Sequence, residues 1–117
     1  MIDHDTKPGL LLTILQEYHV GKKSVVKTDE LSLILDVEPR DVHRMVHLLR
    51  HEGYPICGDG KGYFYAGCPE EIEATARWLM SMGWRIQNTA CIMLVSADLD
   101  NNATCALAVM KEAIDTL

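Results

Sequence analysis

The sequence has no long apolar run and few residues that break regular structure. No stretch approaches the roughly 20 consecutive apolar residues that span a bilayer, so a transmembrane protein is excluded. The 117 residues include only 4 prolines and 8 glycines, and 48% are hydrophobic, which excludes intrinsic disorder. We expect a soluble globular chain that is long enough to bury a core.

Cysteine is also scarce. Cys57, Cys68, Cys91 and Cys105 form no CxxC pair and are too few for a disulfide scaffold, so we interpret them as thiols. The acidic start, residues 1–5, lacks the positive flank and apolar core of a secretory signal. We therefore expect a cytoplasmic protein, and the sequence indicates no cofactor.

Positive charge is in deficit, with 11 Lys+Arg against 17 Asp+Glu. This balance argues mildly against nucleic-acid binding, because Lys and Arg supply most non-specific affinity for phosphate. The charge is uneven, however: residues 69–117 hold three basic and seven acidic residues, whereas residues 1–68 hold eight and ten, together with all five histidines. Local patches of charge affect binding more than the net charge does.

Three short helices are predicted in the first half. The first contains a dense leucine run before Gly21, and Thr28 is predicted to cap the second. The third starts near Pro39, which suits a first helical position, and ends at Gly53. Its apolar residues fall on one stripe: Val42, Met45, Val46 and Leu49. The opposite face carries Arg40, His43, Arg44, His47, Arg50 and His51.

A β-hairpin is predicted after the third helix. Two aromatic and aliphatic runs, 54–57 and 63–66, surround a segment in which three glycines supply the positive φ angles of a turn. Lys61 makes the tip cationic. Residues 22–27 are predicted to form a loop or a short strand.

A long helix is predicted from Glu70 to about residue 97, opened by Pro69. A large apolar residue recurs every seven positions, and a small residue follows each after four, a pattern typical of close helix pairing. Gly83 weakens the helix by about 1 kcal/mol relative to Ala and marks the place where it would kink or split. A turn at 98–102 and a closing helix to Leu117 complete the chain.

The order of these elements, α-α-α-β-β over residues 8–68, resembles a winged helix-turn-helix domain. The segment from Leu31 to Gly53, followed by Tyr-Pro-Ile-Cys and Gly-Lys-Gly-Tyr, is similar to the biotin-repressor type and to bacterial and phage regulators. The expected fold is mainly α with a small β-hairpin: a winged helix-turn-helix domain over 1–68 and a helical C-terminal extension over 69–117.

The resemblance implies a double-stranded DNA partner and places its contacts. The third helix resembles a recognition helix, and the hairpin tip and the start of the second helix suit backbone contacts. The nucleic-acid-binding residues it implies are Lys27, Thr28, Arg40, His43, Arg44, His47 and Lys61. Two features depart from the usual basic character: carboxylates at Glu38 and Asp41, which would repel phosphate unless paired, and an apolar Leu48 beside the core stripe.

Three other sites are weaker interpretations. The i, i+4 spacing of His43, His47 and His51 suits a metal pair, but a polar stripe is the simpler explanation. The string at 98–102 mimics a calcium loop without its glycine and final glutamate, and Gly58–Gly62 lacks the helix and Lys-Ser/Thr pair of a phosphate loop. We expect neither a metal site nor an enzyme.

The long helix is predicted to join two copies of the chain, because it is apolar on more than one face. The predicted dimerisation residues are Ile72, Ala76, Leu79, Gly83, Ile86, Ala90 and Met93. The alternative is that this region folds back on the first helix and the closing helix. The leading hypothesis is a dimeric, sequence-specific DNA-binding regulator, and the alternative is a winged-helix module that binds a protein.

Overall fold

A computed structural model of the protein describes residues 3–97 and 111–114. In chain order these form α1 (Lys7–Tyr18), a 3-10 turn (Lys22–Ser24), β1 (Val26–Lys27), α2 (Thr28–Leu35), α3 (Pro39–His51), β2 (Ile56–Gly58), β3 (Gly62–Tyr65) and α4 (Pro69–Ala97). The fold is mainly helical with a small antiparallel sheet. None of the helices in these ranges has the length and apolarity that a bilayer span demands.

The predicted hairpin is present, and a third strand joins it. Strands β2 and β3 pair antiparallel with Cys57 opposite Phe64, and β1 pairs with the other edge of β3, giving the order β1-β3-β2. Residues 22–27, predicted as a loop or a short strand, thus contain both a 3-10 turn and an edge strand. This strand places the start of α2 directly beside the hairpin.

The core lies between α1, α2, α3 and one face of the sheet. Its side chains come from every one of these elements, and Leu11, Leu12 and Leu15 of α1 and the stripe of α3 are almost completely buried. The stripe predicted for α3 is confirmed: Val42, Met45, Val46 and Leu49 are all buried. Cys57 and Phe64 are buried on the other face of the sheet, where the Cys57 thiol lies 3.5 Å from the carbonyl of Glu71 in α4.

The connection from α2 to α3 is tight. Asp36 adopts a left-handed conformation with φ 54°, and the ammonium of Lys7 donates to the carbonyls of Leu35 (2.9 Å) and Asp36 (3.1 Å). These bonds satisfy carbonyls that the end of α2 leaves without helical partners. The first helix therefore fixes the direction in which the chain leaves α2 and enters α3.

The chain divides into two compact units, Met1–Trp78 and Leu79–Leu117. The predicted domain boundary follows residue 68, at the start of α4, whereas the first turns of α4 belong to the first unit. The helix continues through Gly83 to Ala97 without the split considered at that glycine. The predicted turn at 98–102 and most of the closing helix lie outside the described residues; residues 111–114 are helical.

Candidate nucleic-acid interface

Helix α3 buries one face and exposes the residues that the sequence assigned to DNA. Arg40, His43, Arg44 and His47 are all exposed. Their spacing of three and four places them on neighbouring turns of one helical face. The predicted outward cationic face is therefore present, and neither arginine is buried in the protein.

The carboxylate of Asp41 is engaged at the start of α3. One of its oxygens accepts the backbone N–H of Glu38 at 3.2 Å, and the other lies 3.9 Å from the guanidinium of Arg44. The first contact satisfies a donor that the helix start leaves open. The second is an exposed ion pair and contributes little energy, but it offsets negative charge beside Arg44.

The imidazole of His43 is fixed by the hairpin. Its Nδ1 lies 2.6 Å from the phenol oxygen of Tyr63, and the two rings meet edge to face with centroids 5.9 Å apart. Burial raises the pKa of Tyr63, so the phenol keeps its proton near neutral pH. The tautomer of the imidazole sets which of the two groups donates in this hydrogen bond.

The tip of the hairpin is anchored to the start of α2 by Thr28. The Thr28 hydroxyl donates to the carbonyl of Gly60 at 2.7 Å, and its backbone N–H donates to the carbonyl of Lys61 at 3.0 Å. The turn is closed internally by Asp59, whose carboxylate accepts the N–H of Lys61 at 3.1 Å. The turn is thus held at both of its last two residues.

These contacts correct the prediction for Thr28. Helix α2 is capped by Lys27 rather than Thr28, and Thr28 is the first helical residue, with a side chain only 5% exposed. Because its hydroxyl and N–H are both used within the fold, Thr28 positions the turn and offers no free donor to phosphate. Lys27 and Lys61 remain exposed on the two sides of this junction.

Arg50 also differs from the prediction, which placed it on the outward face of α3. Its guanidinium is half-buried, donates to the carbonyls of Ile56 (2.8 Å) and Gly58 (3.4 Å), and lies 5.7 Å from the centre of the Tyr63 ring. Burial lowers its pKa. Arg50 therefore fastens strand β2 to α3, because its guanidinium faces the sheet rather than solvent.

The later part of α3 presents a histidine pair and an apolar residue. The rings of His47 and His51 lie 4.3 Å apart, and Leu48, the apolar residue beside the core stripe, is exposed. Within residues 3–97 and 111–114, no group of three potential ligands is arranged to hold a metal ion. The metal interpretation of the three histidines thus gains no support.

The heptad stripe of α4 is exposed to solvent. Its large members have exposed fractions of 44% for Ile72, 40% for Leu79, 67% for Ile86 and 66% for Met93. The small members Ala76, Gly83 and Ala90 are exposed as well. Single exposed apolar residues are ordinary, but a repeating apolar row along one helix is typical of an interaction surface.

Sequence reasoning missed the part that Tyr63 plays. It was interpreted only as a strand residue, yet it joins the core, Arg50 and His43. Its alternation with Gly62 and Phe64 could have indicated that it faces the helices rather than the opposite side of the sheet. The choice of His43 as its partner depends on the register of the hairpin and was not available from spacing alone.

The chain matches no protein-family model, no curated protein and no solved structure. The role of this surface therefore has to be inferred from its own residues.

Proposed function

We propose that residues 1–68 form a winged helix-turn-helix domain that binds double-stranded DNA. In this assignment α2 and α3 are the helix-turn-helix, α3 is the recognition helix and the turn between β2 and β3 is the tip of the wing. The order of elements and the sheet order β1-β3-β2 support it. In this motif the exposed N-terminal part of the recognition helix enters the major groove.

The observation that carries the proposal is the continuity of one exposed surface. The hydrogen bond between His43 and Tyr63 brings α3 against the hairpin, while Thr28 holds the turn that carries Lys61. Arg40 and Arg44 suit guanine edges or phosphates, and Lys27 and Lys61 suit backbone contacts. A surface of this kind contacts the groove and the flanking backbone together.

The acidic net charge does not oppose this surface directly. Much of the excess of carboxylates is carried by residues 69–117, and Asp41 is bonded to the start of its own helix. The remaining acidic groups of the first unit are expected to lower non-specific affinity, because they repel phosphate wherever they approach it. We therefore expect weak binding to random DNA, and we expect the affinity for a specific site to depend on contacts with the bases.

We further propose that α4 joins two copies of the chain. The exposed row of Ile72, Leu79, Ile86 and Met93 offers the apolar face that such a pairing needs. A twofold dimer would present two α3 helices to half-sites separated by one or more turns of DNA. The proposed protein is a dimeric transcriptional regulator of bacterial or phage type.

The decisive experiment is a selection of bound duplexes from a random oligonucleotide pool, followed by affinity measurement over a salt series. We expect an enriched sequence with two related halves, and affinity for it that falls as salt rises. Failure to retain any duplex at low salt would refute the DNA-binding proposal.

A protein-binding module is the second candidate, and exposed apolar residues on α2 favour it. Leu33 is 82% exposed and Ile34 is 56% exposed, and Leu48 of α3 adds a third such side chain. Under this alternative, affinity for the partner protein would be insensitive to salt and would be lost on the uncharged substitution Leu33→Ser. The regulator proposal expects that substitution to leave DNA affinity unchanged.

A further inference from the structure

A groove of about 450 Å³ opens on the face of the sheet opposite the helical core, between the hairpin and the first turns of α4. Its volume lies within the range of pockets that bind small molecules. Apolar surface comes from Val25, just before β1, and from Phe64 of β3, and Ala74 and Trp78 provide it from α4. All of these residues belong to the first compact unit.

The groove has one buried and one exposed aromatic side chain. Phe64 is buried and closes the bottom, whereas the indole of Trp78 is 39% exposed and is available to contact an occupant. Gly58 and Gly62 also line the groove. A flat apolar body therefore has contact surface on two sides, from the sheet and from the indole.

The charges at the groove are mainly negative. Asp59, Glu70 and Glu71 line it, against the single ammonium of Lys22. The carboxylate of Glu71 is fixed, because its two oxygens accept the backbone N–H groups of Lys22 and Gly67, each at 2.8 Å. Among the described residues, none forms a hydrogen bond or ion pair with the exposed carboxylate of Glu70.

We propose that this groove binds a small, flat organic cation. Three acidic residues line the groove, which disfavours an anion, and a strongly polar neutral molecule would lose hydrogen bonds to water against the apolar walls. A cation with an aromatic body uses both features, since its charge is attracted to the carboxylates and to the electron-rich face of an indole. The site is separate from the proposed DNA surface and its existence does not depend on that proposal.

Isothermal titration calorimetry of the full chain with 1-methylquinolinium tests the proposal. Quinoline, uncharged at neutral pH, and 2-naphthalenesulfonate are the neutral and anionic probes of similar shape. We expect saturable binding of the cation alone at concentrations up to about 1 mM. If the neutral or the anionic probe binds with the same affinity as the cation, the groove does not select positive charge and that part of the proposal is wrong. If the cation shows no saturable binding, the groove is not a binding site.

Variants locate the binding site. Glu70→Gln is expected to weaken cation binding by up to about fivefold, as for one exposed ion pair, and Ala74→Leu is expected to abolish it by filling the groove without changing charge. Glu73→Gln is the matched control, because Glu73 lies on the same helix and pairs with Arg77 at 2.7 Å instead of lining the groove. Circular dichroism confirms that each variant is folded. Equal loss in Glu73→Gln and Glu70→Gln, or full affinity in Ala74→Leu, would show that the groove is not the site.

Discussion

His43 and Tyr63 are joined by a hydrogen bond of 2.6 Å between an exposed imidazole on α3 and a phenol that is only 4% exposed on β3. Tyr63 also packs in the core and lies beneath the guanidinium of Arg50. One side chain of the sheet therefore contacts α3 at two positions that lie two helical turns apart. The direction of His43, and with it the face that α3 offers to a ligand, depends on this contact.

The coupling between these two residues is directly measurable. Tyr63→Phe keeps the ring in the core and removes only the hydroxyl, so we expect a loss of about 1 kcal/mol in the free energy of unfolding. In a double-mutant cycle with His43→Ala, urea unfolding should give a coupling energy of similar size. Additive effects of the two substitutions would show that the hydrogen bond contributes nothing to stability.

Thr28 provides a second test of how the turn is held. Thr28→Val removes the donor to Gly60 inside a buried site and is expected to cost about 1–2 kcal/mol of stability. Thr28→Ser keeps the hydroxyl and loses one methyl, about 0.8 kcal/mol. The serine variant should also keep the turn resistant to proteolysis after Lys61, whereas the valine variant should be cut faster. Equal cleavage of both would show that the hydroxyl does not position the turn.

The DNA proposal predicts a specific response to charge removal. Arg44→Ala and Lys61→Ala should each weaken binding to the selected duplex and reduce the slope of log affinity against log salt by up to about one. Arg77→Ala removes the same charge from an exposed position on α4 and is the matched control. If the control weakens binding as much as the two test variants, the effect is one of net charge and α3 is not the interface.

Glu71 predicts how stability depends on pH. Backbone N–H groups of Gly67 and Lys22 hold the pKa of its carboxyl below the ordinary value. Since the folded pKa is depressed, the stabilisation is present above the unfolded pKa and is lost as pH falls through the folded one. We expect the native protein to lose stability below about pH 5 more steeply than Glu71→Gln, which cannot ionise. Thermal unfolding of both proteins over this range measures the difference, and parallel curves would contradict it.

The helices and the hairpin were predictable because their signals are local. Periodic burial in α3, the proline at its start and the glycines at 58–62 each depend on a few neighbouring residues. The same local logic failed at Thr28. A threonine followed by two acidic residues is typical of a helix cap, but the hydroxyl bonds to Gly60, 32 residues away.

The site was less predictable than the fold because its residues are joined by long-range contacts. The outward positions of Arg40, His43, Arg44 and His47 follow from the helical period. By contrast, the inward turn of Arg50 follows from where β2 packs against α3. No periodic pattern indicates that its guanidinium meets the carbonyl of Ile56.

The exposed row on α4 leads to a prediction about oligomeric state. Burying Leu79 and Ile86 against a second copy would remove apolar surface from water, and the small residues Ala76, Gly83 and Ala90 allow close approach of the partner helix. We expect light scattering to give the mass of a dimer at tens of micromolar protein, a range of about −6 to −7 kcal/mol in association free energy.

Leu79→Glu and Ile86→Glu should each shift this protein to the mass of a monomer, because a buried carboxylate without a partner opposes association. Ser81→Glu introduces the same group on α4 outside the heptad row and should leave the dimer intact. A monomer in the native protein, or equal disruption by Ser81→Glu, would contradict pairing through this row. Because each half of a twofold site is read by one copy, the two disruptive variants should also lower affinity for the full duplex while leaving affinity for a single half-site unchanged.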